Sequence, residues 1–109
     1  MIALKNEGNR ARIRGLQVEA LFAIQVAYSI WRELSLVADM VITSAGELGD
    51  FRRKGSKHLS GYAFDLRTRD LVISQLDKFV INLTEALGPD YDVVVESNHI
   101  HVEFDPEGE

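Results

Sequence analysis

There is no cysteine in the 109-residue chain. That excludes disulfides, thiolate metal sites and cysteine nucleophiles, though it does not fix the redox compartment. A domain this small without a cross-link draws its stability from its core or from a bound ion. Basic residues are the minority charge: 12 Lys and Arg stand against 17 Asp and Glu, for a formal net charge of -5. This argues against nucleic acid as the main partner, because phosphate neutralisation needs clustered Lys and Arg. Long apolar runs are missing too. The most hydrophobic stretch, LQVEALFAIQVAYSIW, is interrupted by Gln17, Glu19, Gln25 and Ser29, so no membrane insertion is expected. The opening MIALKNEGNRARIRG has basic residues but lacks the apolar run of a signal peptide. The expectation is cytoplasmic synthesis without an export signal of its own. Repeats, low-complexity segments and internal boundaries are absent. A single domain over residues 1–109, acting as a monomer, is expected.

What is present is patterned. Apolar residues recur at helical spacing over residues 13–34: Leu16, Ala20, Leu21, Ile24, Ala27, Tyr28, Trp31 and Leu34. A β-rich run follows at 40–43. AGELGDFRRKGSK, rich in glycine and charge, reads as a long loop, and such loops are usually functional or disordered. GYAFDL reads as a strand with Tyr62, Phe64 and Leu66 on one face and Gly61, Ala63 and Asp65 on the other. A second helix is predicted over 70–87, capped by Thr68 or Asp70 and ended by Gly88 and Pro89. Its apolar stripe is Val72, Leu76, Phe79, Val80, Leu83 and Leu87. YDVVVES and HIHVEF form a hairpin turning at Ser97 and Asn98. The order helix, strand, loop, strand, helix, hairpin predicts an α+β domain: a small, mainly antiparallel sheet with helices on one face.

Histidine is scarce, with three in the chain, and two of them lie one residue apart in HIHVEF. Alternation puts His99, His101 and Glu103 on one side of that strand and Ile100, Val102 and Phe104 on the other. If the strand holding Asp65 is its neighbour, an imidazole and a carboxylate converge on the face away from the helices, in a cleft left by small residues. His58, seven residues before Asp65, can fold back over it. Two histidines and an aspartate make a three-ligand zinc set with a position left for water. The bland readings are surface histidines, chance spacing of H-x-H, a structural metal, or both His99 and His101 on one ion.

SKHLSGYAFDL resembles the S-x-H-x-x-G-x-A-x-D signature of the zinc D-alanyl-D-alanine carboxypeptidases and related peptidoglycan endopeptidases. Ser56, His58, Gly61, Ala63 and Asp65 fall in register. HIH resembles the second signature, H-x-H, of the wider group that includes lysostaphin-type peptidases and the hedgehog signalling domain. Glu96 in ESNHIH is similar to an acidic residue that the hedgehog-like pattern keeps before its H-x-H. The resemblance runs from about Thr43 to Asp105 and implies a hedgehog/D-Ala-D-Ala peptidase-like fold with a zinc site. It implies His58, Asp65 and His101 as ligands, His99 acting beside the metal or on the transition state, and Glu96 as general base. An alternative pattern, an acidic residue and two spacers before the ligand, fits ESNH and makes His99 the ligand; His101 is preferred because the H-x-H match is direct.

Arg52 and Arg53 are candidates for binding a substrate carboxylate or an oxyanion, against the alternative of a solvated loop. Ser56 is a candidate for orienting the ligand loop, against a simple turn serine. Glu103 can support His101 from the same face. The implied substrate is the stem peptide of bacterial peptidoglycan, cut next to a D-amino acid by a carboxypeptidase or endopeptidase. Peptidoglycan lies outside the membrane, so release by phage lysis or carriage on a virion is expected. A non-catalytic zinc module that binds a ligand, or a phage structural protein, is the rival reading.

Overall fold

The computed structural model describes residues 1–4, 16–45 and 61–106. They form strand β1 (Ile2–Leu4), helix α1 (Val18–Glu33), β2 (Met40–Ser44), β3 (Ala63–Arg67), helix α2 (Ile73–Leu87), β4 (Tyr91–Val95) and β5 (His99–Phe104). The five strands make one sheet in the order β1-β2-β3-β5-β4. β1 runs parallel to β2, whereas β2–β3, β3–β5 and β5–β4 are antiparallel. The domain is therefore α+β with a mixed sheet. β1 is a correction to the expected element order: three residues are too few to show a period in the sequence. Its pairing makes β1-α1-β2 a parallel crossover. β3 and β4 are likewise parallel, joined through α2 with β5 between them. α1 and α2 pack together on one face of the sheet.

That face holds the core. Ala20, Ala23, Ile24, Ala27, Ile30 and Trp31 of α1 pack with Phe79, Leu83 and Leu87 of α2 over Met40, Ile42, Phe64, Leu66, Ile100 and Val102 of the sheet. Trp31 meets Phe79 edge-on, ring centroids 5.4 Å apart, and its indole N–H donates to the Ala38 carbonyl at 2.7 Å. The Tyr91 hydroxyl donates to the Glu19 carbonyl at 2.8 Å, tying β4 to α1. No helix among the described residues is long and apolar enough to cross a membrane.

Both helices start later than their apolar periods suggest. Leu16 and Gln17 precede α1, whose first turn instead receives a tether: the Gln17 N–H donates to the Gly61 carbonyl at 2.8 Å. Val72, expected in the stripe of α2, is its exposed N-cap, and the Gln75 side chain accepts from the Val72 N–H at 3.2 Å. Thr68 and Asp70 do not cap α2. The Thr68 carbonyl accepts from the Leu71 N–H in a turn, and Asp70 pairs with Arg67 at 2.9 Å. Propensity places a cap somewhere near a helix start; the preceding turn decides which residue takes it. Gly88 ends α2 as expected, at φ 81 and ψ -170, a backbone region essentially confined to glycine.

Candidate functional site

The hairpin β4–β5 closes with the Glu96 N–H donating to the His99 carbonyl at 2.8 Å, so Ser97 and Asn98 form the turn as predicted. With the turn fixed, every cross-strand partner follows: Val94 faces His101 and Asp92 faces Glu103. On the other flank of β5, Asp65 faces His101, Arg67 faces His99 and Ala63 faces Glu103. The Phe104 N–H donates to the Tyr62 carbonyl, which makes 62–104 a hydrogen-bonded pair and Asp65–His101 a non-hydrogen-bonded one. In such pairs the strands approach most closely and side chains on the same face touch. Ile100 and Val102 are wholly buried on the helix side, so His99, His101 and Glu103 take the other face.

There they gather with Asp65, four side chains in all. His101 Nδ1 lies 2.9 Å from Asp65 Oδ1, and its Nε2 lies 2.9 Å from Glu103 Oε1. His99 Nε2 lies 3.8 Å from the second carboxylate oxygen of Asp65, while its Nδ1 donates to the Asn98 side-chain oxygen at 2.7 Å. One carboxylate thus has an imidazole at each oxygen. Asp65 is 3% exposed, so it meets the histidines as a buried group. Ser44 is set opposite Asp65 by a register shift between Ile42 and Ser44. Nothing in the periodicity of β2 announces this bulge. Gly61, read from the sequence as a small residue leaving room, has φ 83 and precedes β3. Its backbone conformation, in the left-handed region, is reason enough for glycine.

Both neighbours of the His101 ring are acceptors, so the ring makes both hydrogen bonds only as the imidazolium. Its pKa is raised above the ordinary 6.5, chiefly by the hydrogen bond to Asp65; burial opposes this, and Glu103 adds to it. A histidine pKa raised by folding contributes stability that is fully present below the unfolded value and is lost as pH rises through the folded value. The His101 ring resonance in metal-free protein is therefore expected to titrate with a midpoint above 6.5, and Glu103→Gln should lower it. NMR titration checks this; a midpoint below that of a free histidine would contradict the two-carboxylate arrangement.

Beside this group, carboxylate oxygens of Asp92, Glu103 and Asp105 lie within 4.8 Å of one another, a set that could hold a metal ion. Asp92 and Asp105 carry no motif. The partnership of Asp92 with Glu103 is nevertheless legible once the turn at Ser97 and Asn98 fixes the register. Of the residues singled out in the sequence, the structure brings together Asp65, His99, His101 and Glu103. Glu96 stands at the exposed end of the hairpin, opposite His99, on the same face by alternation. His58, Arg52, Arg53 and Ser56 lie outside the described residues.

The donors fit zinc chemically: imidazole nitrogen and carboxylate oxygen are among its usual ligands. Comparison of the chain with protein-family models, with curated proteins and with solved structures gives no match.

Proposed function

We propose that the chain is a zinc-dependent peptidase that cuts a peptide bond next to a D-amino acid in bacterial peptidoglycan, on a fold like that of the D-alanyl-D-alanine carboxypeptidases and the hedgehog domain. The observation that carries this reading is the Asp65 carboxylate flanked by His101 and His99 on adjacent strands. The motif SKHLSGYAFD supplies His58 as a further ligand. Asp65, His58 and His101 would hold the ion. Glu103, on His101 Nε2, would fix the ring's orientation and its protonated nitrogen, the usual partner of a metal-bound histidine. A zinc ion supplies Lewis acidity there, polarising the scissile carbonyl and acidifying water.

The remaining steps belong to the chain's own residues. Glu96 takes a proton as the water oxygen attacks the carbonyl carbon. It returns the proton to the amine nitrogen as the C–N bond breaks, leaving a carboxylic acid, which ionises by transferring its proton to the amine. His99, its Nδ1 held by Asn98, donates from Nε2 to the developing oxyanion when protonated. Arg52 and Arg53 receive the substrate carboxylate, and Ser56 orients the loop that carries His58. The enzyme reaches the wall on phage lysis or on a virion.

The exposure of Glu96 favours a second reading, a zinc module that binds a ligand without turnover. Clearing of purified cell walls decides between them. Glu96→Gln should keep one zinc per chain and lose activity by about 100-fold or more. Zinc without hydrolysis by the wild type across varied walls would leave the binding module. Full activity in Glu96→Gln would remove Glu96 as the base.

A further inference from the structure

β4 is an edge of the sheet, and among the described residues nothing pairs with its outer side. The closing bond from the Glu96 N–H to the His99 carbonyl, and that from the Asp105 N–H to the Asp90 carbonyl, fix which groups point where. Residues 92, 94 and 96 turn their backbone groups toward β5. Val93 and Val95 turn theirs outward. Natural edges are blunted by charged side chains, Lys above all, and by Pro, bulges or short length. β4 has one charge, Asp92, and no Lys, Pro or bulge: its sequence is YDVVV, and its five residues pair in unbroken register with β5. Val94 and Val95 are 43% and 49% exposed. Among the described residues the result is a regular, β-branched edge with no strand on its outer side, of the kind that accepts another strand.

Charge selects the occupant. The 31 residues after Lys78 contain eight carboxylates and no Lys or Arg. Asp92 and Glu96 flank Val94 on one face of the edge, with Glu103 and Asp105 behind them. A second copy of β4 is disfavoured: antiparallel self-pairing centred on Val94 sets Asp92 against Glu96 of the other copy, like charge opposite like. We propose that the outer edge of β4 is a docking strand for an extended peptide carrying cationic side chains four residues apart, one opposite Asp92 and one opposite Glu96. Its two intervening residues opposite Val93 and Val95 form the backbone hydrogen bonds. This inference does not rest on the metal reading, since β4 contributes none of the proposed zinc ligands.

The probe is a capped, fluorescently labelled heptapeptide, Ser-Lys-Val-Thr-Val-Lys-Ser, read by anisotropy with the full chain without added metal and again with zinc. N-methylation of either valine removes a donor aimed at β4 and should weaken binding about tenfold, whereas N-methylation of the threonine, which points away, should leave it within about threefold. Replacing both lysines by glutamate should abolish binding at low salt. Val95→Pro removes an outward N–H without touching the β5 ladder, a position where an edge strand tolerates proline, and should weaken binding about tenfold. The methylated peptides test the same contact should that variant fail to fold. No binding by about 1 mM peptide, equal binding of the glutamate peptide, or indifference to valine methylation would overturn the proposal. So would a dimer in sedimentation that Val95→Pro dissolves, since the occupant would then be a second copy. Peptide binding without zinc binding would leave the edge standing and reject the metallopeptidase. Zinc binding and wall hydrolysis without peptide binding would do the reverse.

Discussion

His101→Ala is expected to abolish measurable zinc binding in calorimetry, and Asp65→Asn to weaken it by more than about 100-fold, beyond the range ascribed to outer partners of a ligand. His99→Ala should leave one zinc per chain. The distinction rests on position. His101 is directly opposite Asp65 in a non-hydrogen-bonded pair, 2.9 Å from it, whereas His99 is opposite Arg67 and 3.8 Å away. Glu103→Gln should weaken binding by roughly 10- to 100-fold, as loss of an outer carboxylate does. The competing register has a physical case as well: Asn98 holds the His99 Nδ1 proton, which leaves Nε2 with its lone pair in the neutral ring. Loss of zinc in His99→Ala with retention in His101→Ala would establish that register. The absence of zinc from the wild-type chain would end both. Acid should weaken binding, and at a higher pH than for an ordinary histidine, because the imidazolium that competes with the ion is held by a carboxylate at each nitrogen.

Phe79→Ala should destabilise the fold by about 3–5 kcal/mol, as complete truncation of a buried aromatic does. The Phe79 side chain is wholly buried and meets Trp31 edge-on between the two helices. Domains of this kind are stable by about 5–15 kcal/mol in all, so the variant should be near unfolding at 37 °C. Urea titration followed by Trp31 fluorescence measures the loss as a lower midpoint at unchanged slope. Phe79→Leu keeps most of the volume and should cost less than about half as much. A loss below about 1 kcal/mol in Phe79→Ala would mean that α1 and α2 do not share one core. The site depends on that core at one remove. Ile100 and Val102 on the helix side hold β5 in the register that turns His99 and His101 to the other face.

Much of this arrangement was legible from periodicity. The alternation in HIHVEF separated two buried residues from two histidines, and the 3.6-residue period marked both helices. The turn at Ser97 and Asn98 followed from two β-rich runs separated by turn residues, and it fixed the β4–β5 register. Ala23 and Ile30 lie in the core but outside the strongest period of α1, because its buried stripe is broader than that period. The spacing of Val72 matches the stripe of α2, but the turn before the helix leaves it exposed.

The sequence by itself determined the face on which each histidine lies, since side-chain direction along a strand alternates whatever the partner. It also determined the absence of thiol chemistry and the acidity of the last third of the chain. The neighbour of β5 was decided by tertiary structure. β3 and β5 are separated by α2 and β4 in the chain, and no local period encodes a pairing across such a distance. That pairing brings Asp65 to His101, and burial against it raises the stakes of every charge there. The parallel strand β1, the bulge that sets Ser44 opposite Asp65, and the place of β4 at the edge of the described sheet are likewise products of strand order. Strand order is chosen by the burial of all the apolar faces together, which no single segment contains.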